Sequence, residues 1–278
     1  MNRPLTLAYS PCPNDTYIFA ALAQGMLQEA PDVRVALADV ETLNIAAQKG
    51  DYELSKVSYG AIPTLAEQYR ILRSGGALGH GCGPLVVAKP SRGTMLLEDL
   101  RDKLFAIPGE GTTAFMLLRL ALGRSPASVS VRFDNIVSAV ESGAVDAGLI
   151  IHESRFTFQE RGLTSVCDLG RWWESQTGLP IPLGAILARR DLENEIGTLN
   201  DAIRDSLRYA KDHESEVMPY VREHALEMSE DVMRRHIALY VNEYTVDIGS
   251  QGERAVRELF KRAHAAGLIP QAAEPEFV

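Results

Sequence analysis

Short apolar runs alternate with helix-periodic stretches through the first two-thirds of the chain. Leu5 to Tyr9, Val33 to Val40, Leu54 to Val57, Ile71-Leu72, Pro84 to Ala88 and Leu104 to Ile107 read as strands. So do Val129 to Phe133, Ala147 to Ile151, Leu163 to Asp168 and Gly184 to Ala188. Between them, Tyr17 to Gln24 has helical spacing, with Asn14 or Asp15 as N-cap and Gly25 as its stop. Helices are also predicted over Thr42 to Lys49, after Tyr59 up to Tyr69, over Thr112 to Leu122, and from an Asn135 cap through Glu141. Strand–helix–strand units of this kind predict mixed, mainly parallel sheets with helices on both faces. From Leu199 onward the period is purely helical. Leu199, Ile203, Leu207 and Ala210 form one stripe, and Ser229 caps a helix holding Val232, Ile237 and Tyr240. Such stripes must be buried, and the first α/β unit is the expected place. The predicted architecture is α/β with two lobes, residues 1–87 plus 187–278 forming the first and 88–186 the second.

Composition narrows the function classes. The 278 residues carry 28 Lys+Arg against 37 Asp+Glu, a net charge of −9, which argues against a general nucleic-acid binder. No stretch reaches the roughly 18 consecutive apolar residues of a membrane span. The N-terminal segment Met1 to Ser10 lacks the longer apolar core of a secretory leader, so a cytoplasmic protein is expected. Cys12, Cys82 and Cys167 are odd in number and scattered, which suits a reducing compartment. None stands at metal-ligand spacing, so no metal is expected.

Ligands of parallel α/β sheets bind beyond the carboxyl ends of the strands. The residues there are Ser10 and Asn14, Glu41 and Asn44, Ser58 and Tyr59, Ser74 to Gly76, Thr112 and Thr113, and His152 to Arg155. Each has a local explanation as a turn or cap residue. Their accumulation at one end of both sheets points instead to a small anionic ligand between the lobes. Gly109-Glu110-Gly111-Thr112-Thr113 opens a helix as an anion cradle would, yet it contains neither GxxxxGK[ST] nor GxGxxG. A substrate carboxylate therefore fits better than a nucleotide. His152 ends an apolar strand beside Glu153 and Arg155, and it reads either as a base tuned near neutrality or as a structural histidine bonded to a carbonyl. His80 is a weaker cleft candidate, and His213, His224, His236 and His264 read as surface or packing residues. Cys12, in Pro-Cys-Pro, reads as shape rather than chemistry. Trp172-Trp173 is either a pocket floor or an inter-lobe plug.

Several blocks of the chain resemble one family. They are Ser10 to Thr16, Asp39 to Asn44, Ser74 to Gly79, Ile150 to Phe156 and Leu183 to Arg190. In that order they resemble the 1,4-dihydroxy-6-naphthoate synthases of the futalosine route to menaquinone. The resemblance implies the two-lobed fold of type II periplasmic solute-binding proteins, used as a cytoplasmic enzyme. It implies a lyase that converts cyclic dehypoxanthine futalosine to the naphthoate and releases a small sugar-derived fragment. By the same resemblance, His152 is the proton acceptor. Lys56, Val57 and Ser58 form one substrate contact, Thr113 and Ala114 a second, and Asn44 is a cleft residue. Ser10 and Thr112 join the set from their places at strand ends. Aromatisation of the product supplies the driving force, so one placed base suffices without metal or redox cofactor. The implied partner is a small carboxylate substrate, with no nucleic acid, no membrane span, and a homodimer left open. The rival readings are the pathway's chorismate dehydratase and a non-catalytic small-carboxylate binding protein.

Overall fold

The computed structural model describes residues 4–91, 93–225, 229–270 and 274–278, so Met1, Asn2 and Arg3 of the N-terminal segment lie outside the described residues. The first half of the chain holds β1 (Leu5–Tyr9), α1 (Pro13–Ala23), β2 (Val33–Leu37), α2 (Val40–Lys49), β3 (Leu54–Ser58), β4 (Tyr69–Ile71), β5 (Ala77–Gly79), β6 (Leu85–Ala88), β7 (Phe105–Ile107) and α3 (Thr113–Leu122). It continues through β8 (Ser128–Ser130), α4 (Ile136–Ser142), β9 (Ala147–Ile150), α5 (Ser154–Thr157), β10 (Thr164–Asp168), α6 (Leu169–Thr177) and β11 (Ile181–Arg189). The helical tail is α7 (Ile196–Asp212), α8 (Glu214–His224), α9 (Glu230–Tyr240), α10 (Glu243–Val246) and α11 (Gly249–Ala265).

Two sheets result, one ordered β2-β1-β3-β11-β4 with β5 also on β11, the other β10-β6-β9-β7-β8. Both are mixed. β1 runs parallel to β2 and β3, whereas β11 runs antiparallel to β3, β4 and β5. In the second sheet β7 is parallel to β8 and β9, and β6 is antiparallel to β9 and β10. Strand pairing puts Leu85–Val87 in the second sheet and Ile181–Ile186 in the first. Both segments thus lie across the expected exchange points, because an apolar run does not state which sheet it joins.

Local chemistry sets the helix ends. Asp39 accepts the Glu41 and Thr42 N–H groups to start α2, and Thr112 accepts the Phe115 N–H to start α3. Gly123 closes α3 at φ 68°, a conformation that costs a side chain energy. Three expectations fail. The stretch from Tyr59 to Tyr69 makes only a 3-10 turn at Ile62–Thr64, since Pro63 and the β4 pairing compete with a longer helix. Neither Asn14 nor Asp15 caps α1; Cys12 occupies the cap position without a side-chain bond, and Pro13 starts the helix. Asn135 likewise makes no side-chain cap bond to α4.

The positions Pro13 to Leu22 of α1 are all buried. Such a helix belongs inside, and α1 is sandwiched between the first sheet and α7, α8 and α9. Ile18, Phe19 and Leu7 are wholly inaccessible, worth about 1.5–3 kcal/mol each in burial. The first turn of α1 therefore presents Asn14 and Asp15 at the carboxyl edge of the first sheet, where no solvent competes for them.

Candidate active site

A cleft with about 690 Å³ of atom-free space opens between the two sheets. Ser10, Lys56, Val57, Ser58, Thr112, Thr113, Ala114 and His152, eight of the nine residues singled out from the sequence, line it. Asn44 is buried one layer behind them.

The wall from the first sheet is a closed polar network. Strand alternation sends Lys56 and Ser58 to one face of β3, while Val57 packs in the apolar core. Lys56 Nζ lies 2.9 Å from Asp15 Oδ1 and donates to the Gly75 carbonyl at 2.8 Å. The Asp15 carboxylate also accepts from Ser10 Oγ at 2.7 Å and Asn14 Nδ2 at 2.8 Å. An ammonium has three hydrogens, and the protein uses two here. Asn44 accepts the Ser58 N–H at 2.9 Å and donates to Ser58 Oγ and Glu41 Oε2.

Across the cleft stands the start of α3. Thr112 Oγ1 donates to the Gly109 carbonyl at 2.7 Å, and Thr113 Oγ1 donates to the Leu183 carbonyl at 2.7 Å while accepting the Gly60 N–H. Both hydroxyls are therefore occupied within the protein. What α3 offers a ligand is the backbone at Thr113 and Ala114, at the positive end of the helix. The expected anion cradle is partly filled too, since Glu41 Oε1 accepts the Gly111 N–H at 2.9 Å and so joins α2 to the second sheet. This approach is tight. A Cβ on Gly109 would collide with the Glu41 carboxylate, and one on Gly60 would sit 2.9 Å from the Thr112 carbonyl.

The third corner is His152, just past β9. Among described non-glycine residues it alone has positive φ, at 58°, a strain on the order of 1–3 kcal/mol. This turn swings the ring off the strand into the cleft, its edge against Phe133 with centroids 4.9 Å apart. Its Nε2 is buried with no hydrogen-bond partner among the described residues. Burial pushes the imidazole down to about 4; Lys56 acts the same way, against Asp15 and Asp39. The ring is therefore neutral at neutral pH and has a lone pair to offer. Cys12 is inert by contrast, its thiol pushed well up by burial.

Cys12 Sγ, His152 and Glu153 have donor atoms within 4.8 Å of one another. Zinc bonds of about 2.0–2.3 Å would need them drawn closer. Asp15, Tyr240 and Cys82 line the cleft but went unnoticed in the sequence, Asp15 because an acid at a helix start defaults to a cap. His80 is exposed and lines no part of the cleft. Trp172 and Trp173 lie on α6; Trp173 is wholly buried and donates to the Pro180 carbonyl, and neither lines the cleft. Arg155 donates to the Gly83 carbonyl and lies 3.5 Å from Asp168, tying α5 to β10.

A family profile described as menaquinone biosynthesis matches residues 5–265. The chain belongs to this menaquinone biosynthesis family. Over 99% of both chains it is 51% identical to the "1,4-dihydroxy-6-naphtoate synthase" of Thermus thermophilus. The protein of the same name from Streptomyces coelicolor is 47% identical over 96% of this chain and 95% of its own. A solved structure from Archaeoglobus fulgidus superposes with a TM-score of 0.88 at 34% identity, covering 96% of this chain and 98% of that one. The alkanesulfonate-binding protein of Xanthomonas axonopodis, solved with MOPS, has a TM-score of 0.73 at 14% identity, covering 98% and 96%. The chain thus has the architecture of periplasmic binding proteins. No helix among the described residues is long and apolar enough to cross a membrane.

Proposed function

We propose that the chain is a carbon–carbon lyase that converts cyclic dehypoxanthine futalosine to 1,4-dihydroxy-6-naphthoate, releasing a small sugar-derived fragment. Family membership and the shared name of the two relatives support the product. The observation that carries the chemistry is the unpartnered Nε2 of His152, neutral and buried at the cleft. It takes a proton from a substrate carbon, and the electron pair left behind completes an aromatic ring as the fragment departs. A positioned base of this kind contributes about 10²- to 10⁴-fold.

The substrate carboxylate docks at the Thr113 and Ala114 backbone, with the remaining Lys56 hydrogen in support. Asp15, Ser10 and Ser58 hold Lys56 and the cleft floor in place before substrate arrives. The two lobes close on the substrate, exclude water and strengthen these contacts. Free thiols at Cys12, Cys82 and Cys167 support a cytoplasmic setting. The direct test is incubation of purified protein with the cyclic futalosine derivative and detection of the naphthoate by its absorbance and mass. Unchanged substrate would refute the reading, and unchanged chorismate in a parallel assay is expected.

A further inference from the structure

The helical tail contributes one histidine that the mechanism above does not use. His236, on α9, is fully inaccessible. Neither of its ring nitrogens makes a hydrogen bond among the described residues. Leaving a buried polar group unsatisfied costs about 1–3 kcal/mol, so its retention calls for a role. Its ring lies against Tyr240 at 4.6 Å and Phe156 at 6.3 Å, and 6.2 Å from the ring of His152. Its Nε2 is 4.0 Å from Glu153 Oε2. Glu153 in turn has a carboxylate oxygen within 4.8 Å of a His152 ring nitrogen. One buried carboxylate thus lies beside two imidazoles, a half-buried one just past β9 and a fully buried one on a tail helix.

We propose that His236 is a positioning residue for the base: when bound substrate closes the 4.0 Å gap, its neutral imidazole donates Nε2–H to Glu153 Oε2 and so holds that carboxylate against His152. This rests on His152 being the base. A fixed carboxylate favours the charged form of an adjacent imidazole, so it makes His152 a stronger acceptor when substrate fills the cleft. The proton moves from substrate carbon to His152, the electron pair stays with the substrate skeleton, and neither Glu153 nor His236 gains or loses a proton. His236 suits the part because burial, His152 and Arg155 all oppose its charging. The other groups facing this corner are Asp15 and Cys12 from the start of α1, Asp39 before α2, and Lys56 from β3. Tyr240 from α9 and Arg155 from α5 complete the set.

The test is the pH profile of kcat and KM for wild type, His236→Phe, His236→Gln and Glu153→Gln, with His152→Ala as the control for the base. Loss of the pair weakens His152 as a base. In His236→Phe the acid limb of kcat should move about one pH unit toward acid, and kcat should fall about tenfold with KM within about twofold. His236→Gln keeps an N–H donor and should recover kcat to within about threefold of wild type. Glu153→Gln should shift the limb as His236→Phe does, and the double variant should shift it no further. An unmoved acid limb in His236→Phe, or equal losses in Phe and Gln, overturns the pairing while an inactive His152→Ala leaves the base intact. Near-normal turnover in His152→Ala overturns the base itself. Nitrogen-15 histidine spectra of wild type decide the matter even if the variants misfold. His236 should remain a neutral Nε2–H tautomer from pH 5 to 8, and a signal titrating in that range, or an Nδ1–H tautomer, refutes the proposal.

Discussion

The two polar corners of the cleft are built on opposite principles. Around Lys56 and Asp15 all but one ammonium hydrogen is engaged: carboxylate, ammonium, hydroxyl, amide and carbonyl bind one another in a site shielded from water. Around His152, its own Nε2 and both ring nitrogens of His236 are buried without a hydrogen-bond partner among the described residues, and the backbone itself is strained. The first corner has spent its interactions on staying still. The second has kept its own in reserve. A substrate gains more from an orphaned nitrogen than from a saturated one, because an occupied partner must first be given up. Rigidity and reactivity are thus divided between the two sheets.

The contrast can be broken from either side. Lys56→Met strands the Asp15 carboxylate out of water and should cost about 3–5 kcal/mol, read as a lowered midpoint in urea or thermal melts. A shift within experimental error would mean that the network is not a structural unit. His152→Ala should leave stability nearly unchanged and KM close to normal while turnover drops at least about a hundredfold. Loss of folding in place of turnover would assign His152 to the scaffold.

Acid sharpens the distinction. The His152 pKa is lowered to about 4 in the fold from an ordinary 6.5, so the unfolded chain binds its proton first. Stability linked to this group is complete above about pH 6.5 and drains away as the pH falls toward 4. At pH 5 wild type should have lost about 2 kcal/mol more than His152→Ala relative to pH 7, measured by urea unfolding. Equal losses would show the ring to be solvated. The smallest effect is expected at the bridge between the sheets. Glu41→Gln weakens the bond to the Gly111 N–H by about 1 kcal/mol, and KM should rise about fivefold with kcat held. A fall in kcat alone would put Glu41 in the chemistry.

Much of this was legible in the sequence where signals are local. A short apolar run placed a strand at Leu54 with Ser58 at its end, a Thr before an apolar helix located the start of α3, and an apolar run ending in His152 marked a strand end; Lys56 came only with the family resemblance. Pairing between distant segments has no such signature. β11 inserts antiparallel beside β3, and nothing in Gly184 to Ala188 states its partner. His236 reads as an ordinary interior position of α9, because the glutamate beside it lies far away in the chain, in the turn between β9 and α5. Asp15 was hidden by its own plausibility as a cap. The site residues missed are those whose role is conferred by a neighbour remote in the chain.

The order of strands carries a consequence for biosynthesis. The second sheet is drawn from one continuous stretch, Leu85 to Asp168, whereas the first receives β11 between β3 and β4 only after that stretch has been made. During vectorial synthesis the later half of the cleft can therefore mature first, and the earlier half waits, with the edge of β3 open, for Ile181–Arg189 to arrive. A nascent chain paused in that interval exposes a template for misregistered pairing, and it is there that a chaperone would find its work.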